Sequence, residues 1–259
     1  MKSIDFLKNN NVNIEQSLEL FGDIETYNET LKEFQNGIDN KLQEITKYYN
    51  MADMPNYAIY VHSLKSDCKY FGFTKLAEMA YEHELQSKAN NIEFVKANYS
   101  ILMEEANKIK ILVNEYLSDS APENTEETLE NKENGIILVA DDSEVIRIFV
   151  KKIFNDKYEV LFATNGQEAL NIIKEHESDN RIKAILLDLN MPKVNGFAVL
   201  DYLNSQDLFS KMPVTIISGD SSSEAINKAF TYPIIDMLNK PFSEDKIKEA
   251  IEKTISYAK

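Results

Sequence analysis

The sequence has no tryptophan, one cysteine, 7 glycines and 6 prolines in 259 residues. A lone Cys68 cannot close an internal disulfide, so a reducing cytoplasm is the expected setting. So little Gly and Pro excludes collagen-like and low-complexity chains. Apolar runs are short as well. The run from Ile136 to Ala140 is among the longest, far below the roughly 18 residues a membrane span requires. The N-terminus mixes Lys2, Asp5 and Lys8 with Asn9 and Asn10 and lacks the apolar stretch of a secretory signal. Positive charge is in deficit, with 28 Lys+Arg against 43 Asp+Glu and a net charge of -15, and no basic cluster interleaved with aromatics offsets it. Direct nucleic-acid binding is therefore not expected.

What is present divides the chain. A third of the excess charge sits in residues 119–134, where 6 acidic residues face a single lysine. That stretch has almost no apolar residues, carries Pro122 and repels itself, so it reads as a solvated linker with a span of roughly 20 to 24 Å if flexible. Before it, over 1–118, apolar residues recur at helical spacing in Ile14 to Phe21, Tyr27 to Tyr49, Tyr57 to Phe71, Thr74 to Lys88 and Ile92 to Leu117, which predicts an antiparallel helical bundle. After it, over 135–259, short apolar runs alternate with amphipathic segments. The runs are Ile136 to Ala140, Glu159 to Phe162, Ala184 to Leu187, Val214 to Ile217 and Ile234 to Leu238. Five such strands separated by helices imply a doubly wound parallel sheet, whose ligands bind beyond the carboxyl ends of the strands.

The residues just past those ends are Asp141 and Asp142, then Asp188, Ser218 and Lys240. Three carboxylates crowd together only with a cation among them, and hard oxygen donors suit Mg²⁺. A carboxylate can also attack phosphorus, with a hydroxyl and an ammonium stabilising the equatorial oxygens, so the set is suited to phosphoryl transfer.

In the order Ile136-Ile137-Leu138-Val139-Ala140-Asp141-Asp142, Leu187-Asp188-Leu189-Asn190-Met191-Pro192, Ile217-Ser218-Gly219 and Leu238-Asn239-Lys240-Pro241-Phe242, the second half resembles the response-regulator receiver domain, of flavodoxin-like fold. The resemblance implies that Asp188 accepts the phosphoryl group. It further implies that Mg²⁺ lies among Asp141, Asp142, Asp188 and the carbonyl of Asn190, that Ser218 donates to a phosphoryl oxygen, that Lys240 pairs with the anion and that the Lys240–Pro241 bond is cis. A histidine kinase or another relay protein would be the partner, and a homodimer through the receiver is a further option. Met237 stands where the family usually has an aromatic switch residue, so the output surface is expected to work differently. Asn190 and Asp220 resemble a pair that accompanies fast self-hydrolysis, implying a short-lived aspartyl phosphate.

Of the three histidines, His62 is placed by a helical wheel opposite the sector of Val61, Leu64, Cys68 and Phe71, alongside Lys65, Ser66 and Lys69. This predicts an exposed imidazole whose lysine neighbours keep it neutral and then pair with a bound phosphate. The passage His62-Ser63-Leu64-Lys65-Ser66, followed by Gly72 and Leu76, resembles the histidine-containing phosphotransfer domain, loosely over residues 11–117. The resemblance implies a four-helix core with His62 as phospho-acceptor. Ser66 stands where that family usually has Gly, which narrows the approach of a partner. His83 shares a stripe with Leu76, Met79 and Ala80 and reads as a buried structural residue, and His176 as the end of a helix. The scattered glycines form no phosphate cradle, so no ATP-dependent kinase is expected. The reading is a phosphorelay protein carrying phosphate on Asp188 and His62. The competing reading is a phosphorylation-controlled interaction or dimerisation module in which His62 is never phosphorylated.

Overall fold

In the computed structural model the described residues are 2–118, 135–219 and 223–258. The linker expected at 119–134, and Asp220, lie outside them. The chain divides into two compact units, Met1–Leu129 and Glu130–Lys259.

The first unit is helical: α1 (Ile4–Asn9), α2 (Ile14–Phe21), α3 (Ile24–Asn50), α4 (Met54–Tyr70), α5 (Thr74–Lys88) and α6 (Ile92–Leu117). Asn13, Asp23, Asp53 and Asn91 each accept a backbone N–H three residues on, so the starts of α2, α3, α4 and α6 are written locally. Helices α3 to α6 close a four-membered ring in which each packs on the next and α6 returns to α3. One end of the ring is filled by Phe21, Tyr27, Phe34, Phe71 and Phe73, with neighbouring ring centroids 5.2 to 5.9 Å apart. Helix α1 escapes a periodicity reading because six residues with one buried position, Leu7, carry no detectable period.

The second unit carries β1 (Ile136–Ala140), α7 (Glu144–Phe154), β2 (Glu159–Ala163), α8 (Gly166–Glu175), β3 (Ile182–Asp188), α9 (Gly196–Ser205), β4 (Val214–Ser218), α10 (Ser223–Ala229), β5 (Asp236–Asn239) and α11 (Glu244–Ser256). All strand pairs are parallel in the order β2-β1-β3-β4-β5. Helices α7 and α11 pack on one another and on the sheet, while α8, α9 and α10 supply Ala169, Ile173, Val199, Leu200, Leu203 and Ala229 to a core built on β1, β3 and β4. This is the flavodoxin-like doubly wound fold. The strand order reverses between β1 and β3, and that crevice is where such a sheet accepts a ligand.

Candidate active site

Asp141 and Asp142 follow β1, Asp188 ends β3, Ser218 ends β4, and Lys240 follows β5. Parallel register sets these carboxyl ends side by side. One ligand oxygen from each of Asp141, Asp142 and Asp188 lies within 4.8 Å of the others. Asp141 and Asp188 are fully buried. The Lys240 ammonium reaches Asp188 Oδ2 at 2.5 Å and Asp141 Oδ2 at 2.6 Å, and the Lys240–Pro241 bond is cis. Ser218 is buried at the same edge.

Backbone groups hold the acids in place. Ser143 N–H donates to Asp141 Oδ1 at 2.9 Å, and Asn190 N–H donates to Asp188 Oδ1 at 3.0 Å. Arg147 Nη1 donates to the carbonyl of Asp141 at 2.6 Å, a brace that the sequence motifs do not disclose. Ser143, not Asp142, caps α7 by accepting from Ile146 N–H.

Burial pushes the Asp141 carboxyl up to about 7, with Lys240 opposing that rise and Asp188 and Asp142 adding to it. For Lys240 burial lowers the value, yet attraction from the three acids outweighs it and the ammonium is held above its ordinary range. One ammonium among three carboxylates leaves net negative charge in a desolvated pocket of hard oxygen donors. A divalent cation such as Mg²⁺ fits that donor set.

The close fit under Asp188 rests on a residue outside the motifs. Gly196 opens α9, where an added Cβ would lie 2.2 Å from the carbonyl oxygen of Asp188 and 2.8 Å from Leu189 Cα. Gly196→Ala is expected to cost about 1–3 kcal/mol by forcing that strand end aside. Paired thermal melts of parent and variant check this, and an unchanged midpoint would contradict it.

In the first unit the structure corrects the sequence. His62 was expected to be exposed with Lys65 and Ser66, but they are 2%, 3% and 4% exposed; only Lys69 of that sector reaches solvent. Helix α4 has neighbours in α2, α3 and α5, so it is enclosed on nearly every side. A wheel drawn on one helix cannot see the partners that make polar burial tolerable. Here the partner is Glu84 on α5, whose Oε1 lies 2.7 Å from His62 Nδ1 and whose Oε2 accepts from Lys65 at 2.6 Å. Lys88 reaches Glu84 Oε1 at 2.8 Å. Burial raises the Glu84 value, but the hydrogen bond and charge of His62, together with Lys65, outweigh it and hold the carboxyl well below the usual range. Lys65 is lowered, chiefly by burial.

An ionised Glu84 can only accept, so the short contact assigns the proton to His62 Nδ1, and Lys65, 3.2 Å from the same nitrogen, directs its stronger bond to Glu84. With Nδ1 turned to Glu84, the other ring nitrogen, Nε2, is buried without a hydrogen-bond partner. Glu84 was missed in the sequence, although an acid at a buried step of α5 beside His83 and Ser87 is a readable signal. Because its folded value is depressed, Glu84 stabilises the bundle above its unfolded carboxylate value, and this is lost as pH falls toward the folded one. Glu84→Gln is expected to cost about 2 kcal/mol at pH 7 and to flatten that acid limb, as chemical denaturation across pH 3 to 7 would read.

His83 is buried, with Nδ1 2.7 Å from the Tyr57 hydroxyl, and burial lowers its value. His176 follows the last turn of α8, with Nδ1 2.7 Å from Asp179. Among the described residues no helix is long and apolar enough to cross a membrane.

The family described as the response regulator receiver domain matches residues 137–252. A probable methanogenesis regulatory protein, FilR2, of Methanothrix harundinacea is 28% identical over 138 residues, covering 51% of this chain and 88% of that protein. The probable C4-dicarboxylate response regulator DctR of Bacillus subtilis is 30% identical, covering 49% of this chain; the match spans only 54% of DctR. Among solved structures, the receiver domain of the Francisella response regulator 1452 is 31% identical, covering 48% of this chain and 98% of that one, with a TM-score of 0.42.

Proposed function

We propose, from the premise that residues 137–252 are a response regulator receiver domain, that the chain is a phosphorelay protein of two-component signalling with two phosphate carriers, Asp188 and His62. The observation that carries the reading is the clustering of Asp141, Asp142 and Asp188, with Lys240 ion-paired to the buried Asp141 and Asp188.

Phosphate arrives from a phosphohistidine of an external histidine kinase or relay partner. A carboxylate oxygen of Asp188 attacks phosphorus, the P–N bond breaks and the imidazole leaves. Lys240 pairs with the phosphoryl oxygens and the Ser218 hydroxyl donates to one of them. Asp141, Asp142, Asp188 and the carbonyl of Asn190 would hold Mg²⁺, which supplies charge neutralisation when bound. Residues 1–118 serve as the phosphotransfer domain, 119–134 as linker and 135–259 as receiver. Support for His62 as the second carrier lies in its unpartnered Nε2 and in the Glu84 contact that fixes the reactive tautomer.

The burial of His62 favours a second reading, in which the His62–Glu84–Lys65 network only stabilises a bundle used for protein contact. Incubation of the parent, Asp188→Asn and His62→Gln chains with a phosphorylated relay partner and Mg²⁺ separates the two. Alkali-stable label that disappears only in His62→Gln supports the relay, whereas label confined to an alkali-labile form lost in Asp188→Asn supports the contact module.

A further inference from the structure

Helix α4 carries two parallel pairs of buried polar residues, each pair one turn apart. In the pair Ser63 and Asp67, both side chains are satisfied by Lys41 of α3, which donates to Ser63 Oγ at 2.9 Å and forms an ion pair with Asp67. One residue back lie His62 and Ser66. The Nδ1 edge of His62 is satisfied by Glu84, but His62 Nε2 and Ser66 Oγ have no hydrogen-bond partner, although both side chains are more than nine-tenths buried. A buried hydroxyl left unpaired costs free energy. Residues at i and i+4 have Cβ atoms about 5–6 Å apart, and helix side chains lean toward the N-terminus, so Ser66 leans over the turn that carries His62. That spacing leaves an oxygen-bearing group attached to Nε2 within reach of the hydroxyl.

We infer that Ser66 is a positioning residue for phosphohistidine, its Oγ–H donating to a non-bridging oxygen of a phosphoryl group on His62 Nε2. This rests on His62 being a phosphate carrier. The Nε2 lone pair attacks the phosphorus of an aspartyl phosphate, the P–O bond to that carboxylate breaks, and the electron pair leaves on the carboxylate oxygen. The imidazole keeps its Nδ1 proton, and its new positive charge faces Glu84. No proton is released. Lys65 and the exposed Lys69 add positive charge on the same side of α4.

The test uses the full chain carrying Asp188→Asn, so that the receiver takes no label, with phosphoramidate as a small donor that needs no docking partner and releases ammonia. Phosphohistidine lifetime and ³¹P shift are measured with Ser66 intact and in Ser66→Ala and Ser66→Gly. Ser66→Ala is expected to shorten the lifetime roughly tenfold and move the ³¹P resonance, while the unphosphorylated chain melts no lower than the parent because an unpaired buried hydroxyl has gone. A residue of merely structural importance would lower the melt and leave the resonance in place. Unchanged lifetime and shift in Ser66→Ala, or faster labelling in both variants from relieved crowding, overturns the role of Ser66 while leaving His62 a carrier. Absence of alkali-stable label from every chain, or its persistence in His62→Gln, overturns the carrier reading itself and the inference with it.

Discussion

Asp188→Asn is expected to abolish phosphate uptake by the receiver: with acetyl phosphate and Mg²⁺, acid-stable, alkali-labile label should fall to background, a loss of roughly a thousandfold or more. An amide oxygen is a far weaker nucleophile than a carboxylate. Asp141 receives Ser143 N–H and the Lys240 ammonium, and its carbonyl is tied to Arg147, so its position is fixed by other duties. The variant should fold. Removing one of three mutually repelling carboxylates relieves the cluster, so the melting midpoint without metal is expected to hold or rise. A folded variant without label isolates the chemistry from stability. Label of the same lability and amount in Asp188→Asn would mean that another carboxylate is the acceptor.

The second large effect concerns Lys240. Its ammonium is ion-paired with two of the acids, at 2.5 Å from Asp188 and 2.6 Å from Asp141. Taking one partner from a buried ion pair typically costs about 3–5 kcal/mol, because the other charge is left uncompensated. Lys240→Ala is expected to lose that much in metal-free buffer at pH 8. The dependence on pH follows from Asp141, whose carboxyl is pushed up to about 7. A raised acid binds its proton more tightly when folded, so its contribution is fully present below the unfolded carboxylate value and is lost as pH rises through about 7. The gap between variant and parent should therefore narrow at pH 5, where Asp141 takes a proton, and narrow again with Mg²⁺ at pH 8. Denaturant midpoints at the two pH values, with chelator and with Mg²⁺, measure this. A gap independent of both would show that Lys240 supports the fold by packing alone.

The receiver half was legible because its determinants are local and ordered along the chain. Most strands are short apolar runs, β1 matching the expected Ile136 to Ala140 residue for residue, and each functional group sits at the last residue of a strand or within two positions past it. Parallel pairing then brings those ends together by geometry, so Asp141, Asp142, Asp188 and Lys240 could be assembled without coordinates. Gly196 and Arg147 could not, because their importance is a distance to a backbone carbonyl of another segment.

In the helical half the sequence by itself determined where the main helices run. α2, α5 and α6 begin and end at the expected residues, since caps and 3.6-residue periodicity act within a few positions. Which faces are buried was decided by tertiary structure alone. Helix α4 is enclosed by three others, and Glu84, twenty-two positions from His62, supplies the countercharge that lets His62 and Lys65 leave water. Local periodicity reports the solvent preference of one side chain at a time; the burial of an ionic cluster is a property of the set, fixed only once the partners have met.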